Sequence, residues 1–306
     1  MSVVIVGSFI TDAIATCKVA PKGGETVRGL SFNTYLGGKG ANQAVAAKRM
    51  GSDTIMVGAL GDDNFGHAFI ECLKKEGFDT SYIEIDKNSP TGISLVTVEE
   101  SGQNRIVMTP GANMTYDYKL LSKLENKIKE ASCVVTQCEM TIDCVIELYR
   151  LCKKTGTKYI VNPAPALKLP EEILNGIYLL TPNETELGIQ VGKNPTTLDE
   201  FIECSKELID KGVQNVIVTL GENGSLLVNK DGYKHFPPYK VKPVDTLGAG
   251  DSFTGSLSAM IDQGYSLEES IKVATAVAAL EIQKPGGIPA MPYKEDVFNF
   301  IKEMGK

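Results

Sequence analysis

Short runs of β-branched residues alternate along the chain with longer amphipathic stretches of helical period. The short runs predict strands at residues 3–6, 54–57, 133–136, 159–162, 178–181, 216–220 and 225–228. The longer stretches predict helices at residues 41–50, 63–76, 142–155, 198–211, 252–262 and 267–282. Alternating strands and helices indicate an α/β fold, in which a mostly parallel sheet is covered on both faces.

Two segments depart from this alternation. Residues 13–35 have three glycines, weak alternation and no helical period, whereas residues 91–109 predict two strands, 92–98 and 104–109, joined by a polar turn. Paired together, they would form a small β sheet inserted into an α/β domain built from residues 1–12, 36–90 and 110–306. Such an insert can act as a lid that excludes water from a site. An ordinary surface excursion fits the composition equally well.

Composition and charge exclude several classes of protein. The 306 residues are 42% hydrophobic and 23% charged, which is typical of a soluble globular protein. The net charge is −7 and the basic residues are scattered, so we expect no nucleic-acid partner. No apolar run approaches the length of about 18 residues that a membrane span requires. The first strand begins without a basic leader, so no signal peptide is expected.

Cysteine and histidine narrow the chemistry further. The seven cysteines form no Cys-x-x-Cys pair, which favours reduced thiols in a cytoplasmic protein. The only histidines are His67 and His235, neither in a metal-binding motif, and surface or structural roles are favoured for both. If the protein is an enzyme, carboxylates or lysines must move its protons.

The sequence LGGKGANQ at 36–43 runs directly into an alanine-rich helix. Its glycines let the backbone approach a ligand, and a helix start offers free N–H donors. It is no Walker A loop, because Lys39 is followed by Gly40 rather than Ser or Thr. A bare glycine loop is most often a tight turn, but Lys39 and Asn42 add side chains that bind hydroxyls or phosphate.

The sequence DTLGAGDS at 245–252 is the stronger candidate, again with small residues before a helix. The free N–H groups and positive dipole end of that helix would stabilise an anion or a transferring phosphoryl group. Asp251 is interpreted in two ways. It is an N-cap, the commonest role for Asp at a helix start, or a base beside a substrate hydroxyl. The bare Gly-Ala-Gly backbone favours the base.

Further polar groups follow predicted strands, at the carboxyl edge where open α/β sheets bind ligands. TPNETE at 181–186 could organise hydrated Mg²⁺ or simply begin a helix through a capping box. TLGENG at 219–224 could cradle nucleotide phosphates or be only a strand-to-strand turn. The lone acids Asp12 and Glu139 say little singly, but together with the glycine loops they suit a polyhydroxylated substrate.

These segments resemble the ribokinase family of PfkB-type carbohydrate kinases. GGKGANQAVAA at 37–47 and DTLGAGDSF at 245–253 are similar to the two family signatures. NPAP at 162–165, TPNETE at 181–186 and GETV at 24–27 are also similar, and the motifs follow the family's order over the whole chain. The resemblance implies a three-layer α/β/α fold with a small β lid, which pairs two subunits. It also implies ATP-dependent phosphorylation of D-ribose at its primary hydroxyl to ribose 5-phosphate, in the presence of Mg²⁺ and a monovalent cation, usually K⁺.

The resemblance assigns a role to individual positions. The base is Asp251, and the backbone of Gly248, Ala249 and Gly250 holds the transferring group. The sugar positions are Ile10, Thr11, Asp12, Gly38, Lys39, Gly40, Ala41, Asn42, Glu139 and Asp251. The nucleotide positions are Asn183, Thr219, Leu220, Gly221, Glu222, Asn223, Gly224, Gly250 and Thr275, with Glu186 in the Mg²⁺ region. The cation positions are Asp245, Leu247, Glu281, Lys284, Gly286 and Ala290.

Three positions depart from the family pattern. Ile10 stands where bacterial ribokinases typically have an Asn that touches the sugar, Ala290 where a Ser commonly adds a cation ligand, and Thr275 is a variable position. The alternatives are therefore another PfkB-family kinase, for adenosine or another nucleoside, fructose or 2-keto-3-deoxygluconate, or a non-catalytic sensor on the same fold. A dinucleotide-binding oxidoreductase ranks last, because no Gly-x-Gly-x-x-Gly follows the first strand.

Overall fold

The computed structural model describes residues 1–305 as strands and helices in regular alternation. The strands are β1 (Ser2–Val6), β2 (Ile10–Cys17), β3 (Ser31–Gly37), β4 (Asp53–Gly61), β5 (Ile83–Asp86), β6 (Gly92–Glu99), β7 (Asn104–Thr109), β8 (Cys133–Thr136), β9 (Lys158–Val161), β10 (Leu179–Leu180), β11 (Asn215–Thr219), β12 (Ser225–Asn229) and β13 (Gly232–Phe236). The helices are α1 (Lys39–Arg49), α2 (Asn64–Lys75), α3 (Glu125–Glu130), α4 (Ile142–Thr155), α5 (Glu171–Leu174), α6 (Glu184–Val191), α7 (Leu198–Asp210), α8 (Ala249–Asp262), α9 (Leu267–Glu281), α10 (Gly287–Ala290) and α11 (Lys294–Glu303).

A nine-stranded sheet forms the centre, in the order β13-β12-β11-β10-β9-β8-β1-β4-β5. Its strands are parallel from β5 to β11, and only β12 is reversed, so that it pairs antiparallel with both β11 and β13 at one edge. The predicted α/β fold with a mostly parallel sheet is confirmed. None of the helices within residues 1–305 is long and apolar enough to span a bilayer.

Strand β1 explains why helices cover both faces of this sheet. Its side chains point alternately to opposite faces, and every residue from Val3 to Val6 is fully buried. Val3 and Ile5 lie in one hydrophobic core with α1, α8 and α9, whereas Val4 and Val6 lie in a second core with α3, α4 and α7. The nearly continuous apolar runs in the sequence therefore correspond to strands with no solvent-facing side.

Helices α1 and α8 approach one another closely because small residues face each other. A Cβ on Gly255 of α8 would lie 2.2 Å from the backbone oxygen of Gln43 on α1, so only glycine fits there. The alanines of α1 are buried along the same face. This contact sets the start of α8 directly beside the start of α1.

A second, four-stranded sheet has the order β3-β2-β6-β7. Strand β2 is antiparallel to β3 and parallel to β6, and β6 and β7 form the hairpin that the sequence predicts. All of β7 and the first four residues of β3 are exposed. The sheet contains residues 13–17 and 31–35 of the first predicted segment and residues 92–99 and 104–109 of the second, and it extends beyond the predicted insert to Ile10 and Gly37. Its role as a lid stays a prediction.

Most predicted elements are present, with ends shifted by one or two residues. Larger differences occur at β4, which continues to Gly61, and at β5, β13 and α11, which periodicity alone did not indicate. The predicted strand at 178–181 is a regular strand only over Leu179–Leu180, although Tyr178 N and Thr181 N also donate to backbone oxygens of β9. The predicted start of α8 is wrong by three residues, because the helix begins at Ala249 and includes Asp251.

Candidate active site

The candidate residues converge where the parallel strands of the central sheet end. Ser8 follows β1, Glu139 follows β8, Asn162 follows β9 and Thr181 follows β10. The starts of α1 and α8 lie over the same edge, since side chains of α1 bond to groups at the ends of β8 and β9 and to α8. These bonds bring the candidate side chains together at the carboxyl edge of the sheet, where open α/β sheets bind ligands, and this region is here called the candidate crevice.

Helix α8 begins with an open turn of backbone. Its N-cap, Gly248, has a φ of 96°, which favours glycine, and no side chain caps the helix. Among residues 1–305, the N–H groups of Gly250 and Asp251 have no hydrogen-bond acceptor. Gly250 is exposed, and a Cβ built on it would meet nothing within 4 Å. Backbone donors at the positive end of the helix dipole are therefore left without a partner in this turn. Ala249 differs from the expectation, because its N–H donates to Thr246 O at 3.4 Å.

The carboxylate of Asp251 lies beside that open turn. It is 5% exposed and does not act as the N-cap, which excludes the simpler of the two sequence interpretations. Asn42 Nδ2 donates to its Oδ2 at 3.0 Å, and Gln43 Nε2 donates to its Oδ1 at 3.0 Å. Lys39 Nζ lies 4.0 Å from Oδ1, and the Asp251 charge raises the pKa of Lys39. An oriented carboxylate next to free N–H groups can accept a proton where negative charge is also stabilised.

The start of α1 differs from the expectation of free N–H donors. Lys39 N donates to Glu139 Oε2 at 3.0 Å, Gly40 N to Ser8 Oγ at 3.4 Å, and Ala41 N to the Ser8 carbonyl at 3.0 Å. Gly40 and Ala41 are buried. The expectation was wrong here, because Ser8 after β1 and Glu139 after β8 already accept these hydrogen bonds.

Two carboxylates lie on the α1 side of the crevice. Burial, the nearby charge of Glu139 and to a lesser degree that of Asp251 raise the pKa of Asp12 to about 6. Burial also raises the pKa of Glu139, whose Oε2 accepts a short hydrogen bond from the Ser8 hydroxyl. Both groups are acceptors in a poorly hydrated place, which suits hydroxyl donors of a ligand.

The first residues of β2 pack against the same helix start. Ile10 is 4% exposed and Thr11 is fully buried, with no hydrogen-bond partner for its hydroxyl within residues 1–305. A Cβ on Gly38, which has a φ of 86°, would lie 2.6 Å from Ile10 N. Close contact with the glycine loop thus brings β2 and its Asp12 to the crevice.

The residues predicted for the nucleotide lie on three parts of the chain: the start of α6, the turn after β11 and helix α9. Asn183 and Glu186 form a capping box at the start of α6, so that interpretation of TPNETE is realised in the structure. Asn183 also forms an isolated bridge with Thr219, and the exposed turn Gly221–Asn223 follows between two antiparallel strands. Burial raises the pKa of Glu186. Thr275 is on α9, and its hydroxyl donates to Ile271 O of the preceding turn.

The residues predicted for a monovalent cation lie around the loop before α8. Asp245 Oδ1 accepts from Leu247 N and Asp245 Oδ2 accepts from Gly286 N, both at 3.0 Å. The aspartate therefore ties the segment before α8 to the segment before α10. Ala290 is buried at the end of α10, and Lys284 N donates to Glu281 O.

Glu281 is the unusual member of this group. It is fully buried, and neither carboxylate oxygen has a hydrogen-bond partner within residues 1–305. Burial and the charges of Asp245 and Asp251 raise its pKa to about 9. A Cβ on Gly248 would come within 3.0 Å of Glu281 Oε1, so this carboxyl group lies directly behind the open turn.

The chain was then compared with known proteins. The model of the pfkB family of carbohydrate kinases matches residues 1–294. The chain belongs to the pfkB family. Its curated relatives include a ribokinase from Schizosaccharomyces pombe, 35% identical over 95% of both chains, and a deoxyribokinase from Salmonella typhimurium, 33% identical over 98% of this chain and 99% of the relative.

Solved structures agree with this assignment to the pfkB family. A ribokinase from Arabidopsis thaliana, complexed with ribose and ATP, superposes with a TM-score of 0.93 at 32% identity and covers 98% of each chain. The expected ribokinase-like three-layer fold is confirmed. As a pfkB carbohydrate kinase the protein is an enzyme of the transferase class, so the oxidoreductase alternative is excluded.

Sequence reasoning missed several polar groups of this pfkB-family site. Four such side chains are buried: Ser8 donates to Glu139 and Gln43 donates to Asp251, whereas Gln137 and Asn162 are bonded to Gln43. The sequence suggested no role for them. Three of the four directly follow a strand or lie within two residues of its end, and that position is the signal that could have found them. The histidines are exposed, as expected: His67 pairs with Asp62, and His235 bonds to a backbone oxygen.

Proposed function

We propose that the protein is a ribokinase, which transfers the γ-phosphoryl group of ATP to O5 of D-ribose. The observation that carries the proposal is the open turn at Gly248–Gly250 with the Asp251 carboxylate beside it. Relatives named ribokinase over nearly the full length, one of them complexed with ribose and ATP, support the choice of substrates.

The chemistry requires alignment and charge stabilisation more than covalent catalysis. The hydroxyl oxygen of the sugar attacks the γ-phosphorus, and its proton passes to Asp251. The bond from phosphorus to the bridging oxygen breaks, and ADP leaves. The free N–H groups of Gly250 and Asp251 stabilise the charge on the transferring group, and Lys39 adds a positive charge nearby.

The sugar binds between β2 and the start of α1. Asp12 and Glu139 accept hydrogen bonds from its hydroxyls, and Asn42 and Lys39 donate to it. The nucleotide lies over the start of α6 and the turn Gly221–Asn223, whose exposure leaves room for it. No cluster of three His, Cys, Asp or Glu ligands occurs within residues 1–305. This agrees with Mg²⁺ held mainly by ATP and water, with Glu186 nearby.

A monovalent cation, K⁺ in most of the family, fits beside Asp245 and Glu281. The fit rests on Glu281, a fully buried carboxyl group with two unpaired oxygens. Backbone oxygens near Leu247, Lys284, Gly286 and Ala290 would complete the shell. Such a cation would supply positive charge behind the anion site.

The four-stranded sheet is proposed as a lid and as the surface that pairs two subunits. Apolar side chains on it are exposed, among them Phe32 at 65% and Val107 at 66%. An exposed apolar sheet with open edge strands favours association with a second copy. All seven cysteines are free thiols, which favours a cytoplasmic location.

One observation favours a second candidate substrate, 2-deoxy-D-ribose. Ile10 offers no hydrogen bond at the sugar side, and a deoxyribokinase is 33% identical to this chain. A sugar that lacks one hydroxyl leaves no polar group unpaired against an apolar side chain.

The test is ATP-dependent phosphorylation of a panel of acceptors: ribose, 2-deoxyribose, fructose, 2-keto-3-deoxygluconate and adenosine. We expect the highest kcat/KM for ribose. Ile10→Asn should then increase the preference for ribose over 2-deoxyribose by about tenfold, because an amide can bond to the additional hydroxyl. A higher kcat/KM for another acceptor would overturn the assignment of ribose, although not that of a carbohydrate kinase.

A further inference from the structure

A chain of buried amide side chains leads from the ends of three strands to the carboxylate of Asp251. Gln43 is fully buried, Gln137 is 1% exposed and Asn162 is 6% exposed. Gln43 Nε2 lies 3.0 Å from Asp251 Oδ1 and 3.1 Å from Asn162 Oδ1, and Gln137 Nε2 donates to Gln43 Oε1 at 2.7 Å. None of these amides is accessible enough to serve as a surface binding group.

The direction of every hydrogen bond among these amides follows from the bond that Asn162 makes with the backbone. Asn162 Nδ2 donates at 2.8 Å to the carbonyl oxygen of Thr181, which can only accept. Asn162 Oδ1 must therefore accept from Gln43 Nε2, and Gln43 Oε1 must accept from Gln137. Rotation of the Gln43 amide by 180° would turn an oxygen towards both Asn162 Oδ1 and the Asp251 carboxylate. The orientation of Gln43 is thus set without reference to Asp251.

The fold provides the space that this arrangement needs. A Cβ on Gly7 would lie 2.1 Å from Gln137 Oε1, so the Gln137 side chain passes over a glycine. Gly255 brings α8 against the backbone of Gln43, as described above. These two close approaches hold Gln43 and Asp251 at hydrogen-bond distance across two helices.

We propose that Gln43 is a positioning residue, which fixes the rotation of the Asp251 carboxyl group so that an oxygen lone pair faces the acceptor hydroxyl. This inference rests on the proposed role of Asp251. The terminal torsion of Asp is soft, but donors on both oxygens, Gln43 on Oδ1 and Asn42 on Oδ2, pin the plane of the group. Asn162, in the NPAP segment, and Gln137 act one step further away, through Gln43.

The experiment measures phosphoryl transfer in a single turnover and ribose affinity by calorimetry, for wild type and five variants. Gln43→Met keeps the length of the side chain and removes its donor. We expect it to lower the transfer rate by about 10- to 100-fold, because a misaligned reacting group has an effect of that order. Ribose affinity should stay within about twofold, since the fully buried Gln43 cannot touch the sugar. Gln137→Met should have a smaller effect in the same direction.

Gln190→Met is the matched control. Gln190 is 3% exposed, and its amide accepts from Leu169 N and donates to Leu167 O, away from Asp251. It should lose stability like Gln43→Met but keep the wild-type transfer rate. An equal loss of rate in this control would overturn the proposal, because buried amides would then matter only for folding.

Gln43→Glu supplies a readout that a purely structural role would not move. Its carboxyl group would face Asp251 Oδ1, with Lys39 near that oxygen and the charges of Glu139 and Glu186 close to Lys39. When protonated, the new carboxyl group donates a hydrogen bond to Asp251. When ionised, it repels the Asp251 carboxylate. Its rate relative to wild type should therefore rise as the pH falls from about 8.5 to 6.5, whereas that of Gln43→Met should not.

The outcomes separate this inference from the proposed function. If Asp251→Asn abolishes transfer and Gln43→Met keeps the wild-type rate, only the positioning role is overturned. If Asp251→Asn keeps the wild-type rate, both the base and its positioning residue are wrong. If another acceptor proves better than ribose, the same series is run with that acceptor, because the role of Gln43 concerns Asp251 and not the sugar.

Discussion

The starts of α1 and α8 have similar sequences and opposite surroundings. Each begins after a glycine N-cap with positive φ, 86° at Gly38 and 96° at Gly248, and neither has a side-chain cap. At α1, the first N–H groups donate to Ser8 and Glu139. At α8, the N–H groups of Gly250 and Asp251 have no acceptor within residues 1–305.

This difference indicates which ligand chemistry each helix start can serve. Partly buried polar groups without a hydrogen-bond partner cost free energy unless a ligand supplies the missing hydrogen bonds. The α8 start leaves donors open and so suits an anion. The α1 start uses its donors internally and leaves the carboxylates of Asp12 and Glu139 beside it, which suits hydroxyl groups. The glycine-rich sequence is common to both, and the difference comes from Ser8 after β1 and Glu139 after β8, which accept the α1 donors.

The largest effect is expected at Asp251, the proposed base in the first turn of α8. Asp251→Asn keeps the size of the side chain but removes the proton acceptor, so turnover should fall by about 100- to 10,000-fold. Ribose affinity should be largely retained, because the α1 side is unchanged. Steady-state ADP release and calorimetric binding of ribose measure the two quantities. Full turnover in this variant would mean that the base lies elsewhere.

A pair of glycine substitutions compares the two helix starts directly. Gly250→Ala adds a methyl group in open space beside free N–H groups, so the protein should fold normally while turnover falls by about 10- to 100-fold. Gly40→Ala adds a methyl group 2.4 Å from the backbone of Gly7 and Ser8, so it should destabilise the fold by about 1–3 kcal/mol.

Chemical denaturation and turnover, measured on both variants, are the readouts for this pair. If Gly250→Ala lowers the free energy of unfolding but keeps the wild-type turnover per folded molecule, the assignment of the open turn to a ligand is wrong.

The smallest effect concerns Asp12 on the α1 side. Its pKa of about 6 means that it is protonated below that pH, so ribose affinity should fall by a few-fold as the pH is lowered through 6. The folded state binds this proton more tightly than the unfolded state, whose pKa is near 3.8, so Asp12 lowers stability progressively as the pH rises from about 4 to 6. Asp12→Asn should therefore raise the unfolding free energy at neutral pH by about 1–3 kcal/mol and weaken ribose binding.

The control for this prediction is Asp53→Asn, at an exposed carboxylate on the amino end of β4, remote from the crevice. It should change neither the pH dependence of ribose affinity nor the stability at neutral pH by a comparable amount. A pH-independent affinity in wild type between about pH 5 and 8 would contradict the role of Asp12.

Much of the fold could be predicted because its causes are local. β8 and α4 have the predicted ends, since their apolar runs are bounded by polar or glycine residues. The start of α8 was misplaced because glycines usually end helices, whereas here Gly248 is the N-cap and its backbone oxygen accepts from Ser252 N at 2.7 Å. Asp251 and Asn42 were found from their glycine-rich surroundings, whereas Gln43 looked like an ordinary residue of a helix.

The sequence by itself determined the alternation of strands and helices, the two glycine-rich helix starts and membership of the pfkB family. These depend on residue type and spacing along the chain, which a sequence contains directly. Only the tertiary structure decided which backbone donors stay free, that the buried Glu281 lies behind the open turn, and that an amide chain from the ends of β8, β9 and β10 reaches Asp251. Each of these depends on atoms that are far apart in sequence, and hydrogen bonding is decided by distance and direction in space.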